Sequence, residues 1–252
     1  MHKALRVLAP LAAAAVPVAL AAAPAMADSG TSYQATLNPL NHATGSGTAW
    51  ISVNGSSATV TESWTGLASQ FSGAPYPHVQ HIHIGGQGVC PTASADKNGD
   101  GVISTTEGGP AYGGIGATLS TSGDTSPAAG TNIKIAPAGP STQYHRTITL
   151  DSKTLASLKA GTAVVVVHGL DPATLSKKAQ GEKSDLVPSL PLAATSPALC
   201  GTLRAMPSGG VATGTGSTAG LEDSALLGLA GALFVAGAGT AMYTVRRKTV
   251  KA

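Results

Sequence analysis

Residues 77–110 read PHVQHIHIGGQGVCPTASADKNGDGVISTTEGGP and contain two adjacent metal-binding patterns. This stretch holds three of the seven histidines, one of the two cysteines and three of the twelve acidic residues of the chain. Alternate side chains of an extended strand project to opposite faces. We therefore expect Ile82 and Ile84 to enter a core while His81 and His83 share the other face, with the rest of the chain folded around this segment.

The later half of the stretch has the residue spacing of an EF-hand calcium loop. The predicted oxygen ligands stand at loop positions 1, 3, 5, 7, 9 and 12, and they are Asp96, Asn98, Asp100, the Val102 carbonyl, Ser104 and Glu107. Gly101, at position 6, permits the sharp turn that such a loop needs. Because calcium prefers about six to eight oxygen ligands, residues 96–107 are predicted to bind Ca²⁺. The alternative is a polar surface turn.

The residues on either side of this loop do not clearly predict helices. Pro91 precedes the loop, and Gly108, Gly109 and Pro110 follow it. We therefore expect a calcium site that stabilises the fold rather than a sensor that opens a pair of helices.

The histidine pattern is the weaker of the two metal signals. His81 and His83 can present two imidazoles to one ion, whereas His78 lies on the opposite face of the strand or in the loop before it. Imidazole binds zinc, copper and iron, so the pair does not identify the metal. A polar strand face is the alternative, and a site would need partners from elsewhere in the chain.

The valine run at residues 164–168 ends in a further histidine. Val164, Val166 and His168 share one strand face. Val165 and Val167 share the other, so the strand is expected to be buried on both sides with His168 at its rim. Such a histidine is either a metal ligand or a structural residue that caps a barrel.

The beginning of the chain predicts export. Lys3 and Arg6 precede an apolar run at residues 7–22, and a small-residue cleavage pattern follows at residues 25–27. Residues 1–27 are therefore interpreted as a secretory signal peptide, which takes no part in the fold.

The end of the chain predicts a membrane anchor. Residues 225–245 carry no charge, and 21 helical residues at about 1.5 Å each can cross a hydrocarbon layer of about 30 Å. The basic tail at residues 246–252 is expected in the cytoplasm, and residues 207–224, rich in Gly, Ser and Thr, are read as a flexible stalk. The folded body would lie on the extracellular face of the cell membrane. A cell-wall sorting signal is the alternative, although no LPxTG-type motif precedes the apolar run.

The charge of the exported part argues against nucleic acid as a partner. Residues 28–224 contain nine Lys and Arg against twelve Asp and Glu, a net charge of −3. No basic patch remains to neutralise phosphates, so the expected partner is another macromolecule or a metal ion outside the cell.

Short strand-like segments separated by turn residues predict an all-β fold for residues 28–206. The predicted strands are residues 32–37, 47–53, 58–64, 79–84, 117–120, 132–135, 144–150, 163–168 and 198–204. Residues 151–159 predict a helical turn capped by Asp151 or Ser152. One β-sandwich or Greek-key barrel is expected rather than two domains.

Cys90 and Cys200 are the only cysteines, and an exported chain meets oxidising conditions. A disulfide between them is predicted, with two free buried thiols as the alternative.

Several short runs resemble the bacterial CHRD domain, a family named after its copies in chordin. They are YQATLNPLN at residues 33–41, HIHIGG at 81–86, CPT at 90–92, SGDTSP at 122–127, VVVVHG at 164–169 and PALCG at 197–201. The resemblance covers residues 33–203 and implies the Greek-key β-sandwich of copper-zinc superoxide dismutase. The chain is also similar to that enzyme itself, because His81-Ile82-His83 looks like its copper-binding His-Val-His strand and His168 looks like its later copper histidine. This similarity implies copper ligation by His81, His83 and His168, with His78 or His145 as a fourth ligand.

The chain also departs from the dismutase pattern. The loop after Cys90 contains no histidine in place of the bridging and zinc ligands, and no arginine shortly precedes Cys200. We therefore expect a membrane-tethered, calcium-stabilised binding module with a histidine-rich copper site. The alternative is a copper-dependent oxidoreductase acting on superoxide, with Lys177, Lys178 and Lys183 attracting the anion.

Overall fold

A computed structural model describes residues 30–207 of the chain. The predicted signal peptide, the stalk from residue 208, the predicted membrane span and the basic tail lie outside the described residues. No helix within residues 30–207 is long and apolar enough to cross a membrane.

Strands make up most of the regular structure. They are β1 (Thr31–Pro39), β2 (Ser46–Asn54), β3 (Ser57–Thr65), β4 (Gln70–Phe71), β5 (Ala74–Pro75), β6 (Gln80–Gly85), β7 (Gly113–Thr118), β8 (Ser141–Thr149), β9 (Val164–His168), β10 (Pro197–Thr202) and β11 (Arg204–Ala205). The α-helices are α1 (Thr105–Tyr112), α2 (Ser152–Ala160), α3 (Lys177–Gly181) and α4 (Leu192–Thr195). Short 3₁₀ helices occupy Ala93–Ala95, Pro127–Ala129, Ile133–Ile135 and Pro172–Thr174.

The main sheet is antiparallel and curls on itself. Its strand order is β7-β6-β9-β10-β1-β2-β3-β8, with β11 also paired to β1. The curl centres on β1, because Thr31 to Leu37 pair with β2 whereas Asn38 and Pro39 pair with β10. The described chain is therefore mostly β and sandwich-like, as the sequence predicted at this level.

Strand β9 is buried on both faces. Val165 and Val167 pack into the main core with Ile82. Val164 and Val166 form a smaller cluster on the opposite face, which we call the outer face. The alternation predicted for β6 and β9 is confirmed.

Two local predictions need correction. Residues 132–135 were expected to form a strand, but Ile133–Ile135 form a 3₁₀ helix whose preceding Asn132 side chain accepts a hydrogen bond from the Lys134 backbone. The residues around the predicted calcium loop were not expected to form helices, but α1 begins at Thr105, inside the loop, and Ser104 and Glu107 form a reciprocal capping box at its start. The helical turn at residues 151–159 is confirmed as α2, with Asp151 as its cap.

The predicted disulfide between Cys90 and Cys200 is present. It joins the loop after β6 to β10 on the outer face, where both sulfur-bearing residues lie with Val164 and Val166. The bond therefore fastens the predicted calcium-loop segment to the sheet.

A lone carboxylate lies inside the curled sheet. Glu62 of β3 is 1% exposed, and neither of its carboxylate oxygens has a hydrogen-bond partner among residues 30–207. It faces Tyr144 of β8, whose hydroxyl is also without a partner in the described part of the chain. Burial raises the pKa of Glu62 to about 8, because the charged form loses its hydration.

We predict that replacing both cysteines with alanine lowers the unfolding free energy by up to about 4.7 kcal/mol, measured by urea denaturation. The reason is that the disulfide closes a loop across a separation of 110 residues, which restricts the unfolded chain. Alkylation of the native protein should label neither cysteine before reduction and both after it. Labelling of two thiols without reduction would contradict the prediction.

We predict that the unfolding free energy of Glu62→Gln, relative to that of wild type, increases as pH rises from 4.5 to about 8. In that window the unfolded state has lost a proton that the native carboxyl retains, so wild-type stability falls with pH. The contribution is at most about 1.4 kcal/mol per pH unit, and glutamine removes it. Denaturant unfolding at several pH values measures the difference between the two proteins, and a difference that stays constant across the window would refute the assignment.

Candidate metal centre

Pairing between β6 and β9 brings three histidines together. The register places His81 opposite Val166 and His83 opposite Val164. The His168 backbone N–H donates to the Val79 carbonyl at 2.9 Å, which continues the same register to the end of β9. Because residues directly opposite each other share a face, all three imidazoles lie on the outer face of the sheet.

The three rings form a compact cluster, here called the histidine trio (His81, His83 and His168). One ligand nitrogen from each ring lies within 4.8 Å of those of the other two. Ring centroids are 5.2 Å apart for His81 and His168, 5.4 Å for His81 and His83, and 5.8 Å for His83 and His168. All three residues are at most 3% exposed. A single ion can therefore contact all three rings, away from bulk water.

Hydrogen bonds to the backbone fix the tautomer of each ring. The donors and acceptors are His81 Nε2–H to the Gly130 carbonyl (2.9 Å), His83 Nδ1–H to the Gly113 carbonyl (2.9 Å) and His168 Nδ1–H to the Thr195 carbonyl (2.6 Å). The remaining nitrogens, Nδ1 of His81 and Nε2 of His83 and His168, have no partner among the described residues. In a neutral imidazole that second nitrogen carries a lone pair. Histidines that ligate metals usually donate their other ring N–H to a backbone carbonyl or carboxylate in the same way.

The trio is neutral at physiological pH. Burial lowers the pKa of His83 to about 3 and that of His168 to about 4. Burial also holds the pKa of His81 well below its usual value, and positive charge on His168 or His83 would lower it further. Metal binding therefore needs no proton to leave these rings at neutral pH.

The donor set favours a borderline transition metal. Three imidazole nitrogens suit zinc, copper or iron, and no carboxylate or thiolate belongs to this cluster within residues 30–207. Three protein ligands also leave a coordination position for another molecule. The trio adjoins a cavity of about 390 Å³.

His78 and His145, the two proposed fourth ligands, are not in this cluster. Both ring nitrogens of His78 contact backbone carbonyls at 2.9 Å, Nδ1 that of His168 and Nε2 that of Ala68. His145 is exposed, and its Nδ1 lies 2.9 Å from the Thr61 hydroxyl. The surroundings of His78 fit a structural role, since neither nitrogen is free to bind an ion.

The predicted calcium loop is closed by its own carboxylates. Asp96 accepts hydrogen bonds from the Gly99 and Gly101 backbone N–H groups at 2.8 and 2.9 Å. Glu107 reaches back across the loop to accept from the Lys97 N–H at 2.8 Å, and its other oxygen accepts from the Ser104 N–H at 2.9 Å. The carboxylates at positions 1 and 12 are thus turned toward the loop backbone rather than outward to solvent.

Glu182 lies beside this loop and was not found from the sequence. Its carboxylate accepts a hydrogen bond from the Asn98 side-chain amide at 3.4 Å, across a separation of 84 residues. A hydrogen bond with Asp100 raises the pKa of Glu182, and the negative charges of Asp100 and Glu107 add to the effect. The EF-hand template contains only local residues, so no sequence signal pointed to Glu182.

No protein-family model matches the chain, and no curated protein matches it.

Proposed function

We propose that this protein is an exported binding module of the CHRD type that holds one copper ion at the histidine trio. The supporting observation is that three buried, neutral imidazoles each have one nitrogen without a partner, and that one ligand nitrogen from each ring lies within 4.8 Å of the other two. Copper is preferred to zinc because divalent copper binds a given nitrogen site more tightly. The similarity of His81, His83 and His168 to the copper-binding histidines of copper-zinc superoxide dismutase points to the same metal.

The proposed fold is the Greek-key sandwich of the superoxide dismutase plan. The sharing of β1 between two parts of the curled sheet supports it, since such a strand joins the two halves of a sandwich. Four of the six runs that resemble the family fall on β1, β6, β9 and β10, and the other two, CPT and SGDTSP, lie outside the strands. These four strands carry or adjoin the trio and the disulfide.

Binding without rapid catalysis is favoured over dismutase activity. The open side of the trio would admit a small molecule, which is the observation in favour of an enzyme. The side chains lining the cavity within residues 30–207 include no Lys or Arg, however, so nothing there would guide an anion. Lys178, one of the three lysines considered for that task, instead donates to the Asn98 carbonyl in the calcium-loop segment.

A calcium ion at residues 96–107 is the second part of the proposal. Oxygen atoms of Asp96, Asn98, Asp100 and Glu107 fit a hard cation, and Glu182 adds a carboxylate from a distant segment. Bound calcium would supply two positive charges to this acidic group. The unfavourable proximity of Glu182 to the loop carboxylates would then become favourable.

The proposed location is the extracellular face of the cell membrane, or the cell wall. The signal-peptide pattern at residues 1–27 and the apolar segment with basic tail at residues 225–252 support this orientation independently. The partner is a metal ion or another macromolecule outside the cell, and the charge of −3 over residues 28–224 disfavours nucleic acid.

We predict that the purified protein binds one Cu²⁺ with nitrogen ligation, seen by electron paramagnetic resonance. His81→Ala and His168→Ala should each weaken binding by more than about 100-fold, because even residues behind the ligands are worth about 10- to 100-fold. His145→Ala is the matched control and should bind like wild type, since His145 is exposed and bonded to Thr61. Equal affinity in all four proteins would leave the trio structural.

The copper-loaded protein should also dismutate superoxide far below the diffusional ceiling of about 10⁸ to 10⁹ M⁻¹s⁻¹. A rate near that ceiling that disappears in His81→Ala would establish the enzyme instead.

We predict that millimolar Ca²⁺ raises the melting temperature and that chelator reverses the effect. Calcium at about 100 times its dissociation constant would add about 2.7 kcal/mol to the unfolding free energy. Glu107→Gln should abolish the increment and Glu182→Gln should reduce it. Asp124→Asn, at an exposed acid whose carboxylate accepts hydrogen bonds from Ser126 in its own turn, should leave the increment unchanged. An increment that survives Glu107→Gln would place any calcium elsewhere.

A further inference from the structure

The cavity beside the histidine trio is mainly apolar. Its volume of about 390 Å³ lies within the range of small-molecule sites, about 300 to 1,000 Å³. Six large aliphatic side chains line it, and they are Val79, Ile115, Ile133, Leu186, Val187 and Leu190. Threonines 105, 131 and 195 supply hydroxyl groups, and no Asp, Glu, Lys or Arg of the described chain lines the space.

The histidine trio forms a polar part of the cavity wall. The unpartnered nitrogens of His81, His83 and His168 belong to side chains at least 97% buried, and these rings line the cavity. Among the cavity-lining side chains that the structure describes, these are the only ones with a buried polar atom lacking a hydrogen-bond partner. A molecule in the cavity would therefore meet the three histidine rings in one part of the wall and mainly apolar groups elsewhere.

The apolar lining extends to the protein surface. Ile133 is 53% exposed and Leu186 is 51% exposed, and both line this cavity. Val89, at 41%, is the remaining large exposed hydrophobic residue within residues 30–207, and it lies outside the cavity. Single exposed aliphatic residues are ordinary, but two at one cavity give it an apolar rim.

We propose that this cavity binds a small, uncharged molecule with an apolar body and a single nitrogen, oxygen or sulfur atom that coordinates the metal held by the trio. The proposal rests on the metal function argued above and names the class of ligand for that site. The three imidazoles leave a coordination position for the donor atom, and the aliphatic wall removes the apolar body from water. A small anion would lose its hydration and find no cationic side chain in return.

The test compares three probes on the full-length, copper-loaded protein: 4-phenylimidazole, imidazole and azide. Each is titrated while the copper spectrum is recorded. The two imidazoles offer the same donor atom, so their difference reports burial of the phenyl ring. The phenyl derivative should bind at least about tenfold more tightly than imidazole, in proportion to the apolar area it buries. Azide should bind more weakly than the phenyl derivative.

Variants at the rim locate the effect. Leu186→Asp and Ile133→Asp place a carboxylate at the apolar rim. Both side chains are more than half exposed, so the new charge stays hydrated and folding is preserved. Both should remove most of the preference for 4-phenylimidazole over imidazole, while the histidine trio still takes up copper. Val89→Asp is the matched control, because it makes the same change at an exposed aliphatic residue away from the cavity. It should retain the full preference.

The outcomes separate this inference from the proposed function. If the protein takes up copper through the trio but binds both imidazoles equally, the inference is overturned and the metal function stands. A preference that persists in both rim variants also overturns it, because the phenyl ring would then lie elsewhere. If copper titration before any probe is added shows no dependence on His81, the metal function fails and the cavity proposal falls with it.

Discussion

The antiparallel register between β6 and β9 is the constraint on which the site depends. Because His81 of β6 lies directly opposite Val166 of β9, every second side chain of both strands lies on the outer face. A slip of one residue would turn the imidazoles of β6 into the core and Ile82 out of it. A slip would remove Ile82 from the main core, where it packs with Val165 and Val167. It would also take the imidazoles of β6 away from the backbone carbonyls that they bond on the outer face, so the observed register is favoured.

The segment that covers the outer face links the two proposed metal sites. Helix α1 begins within the last three residues of the predicted calcium loop, and its Thr105 hydroxyl donates to the Thr195 carbonyl at 2.6 Å. That same carbonyl accepts from His168. At its other end, Tyr112 packs edge-on against the His83 ring with centroids 4.7 Å apart. The groups behind two trio ligands are thus held by a helix that the loop positions.

The trio also carries a cost that a ligand would offset. Three buried ring nitrogens without partners forgo hydrogen bonds that water gives them in the unfolded chain, which costs stability. Burial lowers the pKa values of His83 and His168, so these nitrogens stay unprotonated at neutral pH. They therefore gain neither a proton nor a hydrogen bond to water to offset the cost of burial. Such an arrangement favours ligand binding over stability, and a second molecule would reach the proposed ion through the apolar cavity beside it.

The sequence alone determined the features that depend on near neighbours. The two-residue alternation of HIHI and VVVVH predicted which side chains share a face, and an even cysteine count in a chain predicted to be exported indicated the disulfide. Tertiary structure decided the rest, because it depends on contacts between distant segments. Packing against two carbonyls excluded His78 from the trio, and chain reversal brought Glu182 to a loop 84 residues away. The cavity likewise exists only where separate loops meet over the outer face, which no local pattern encodes.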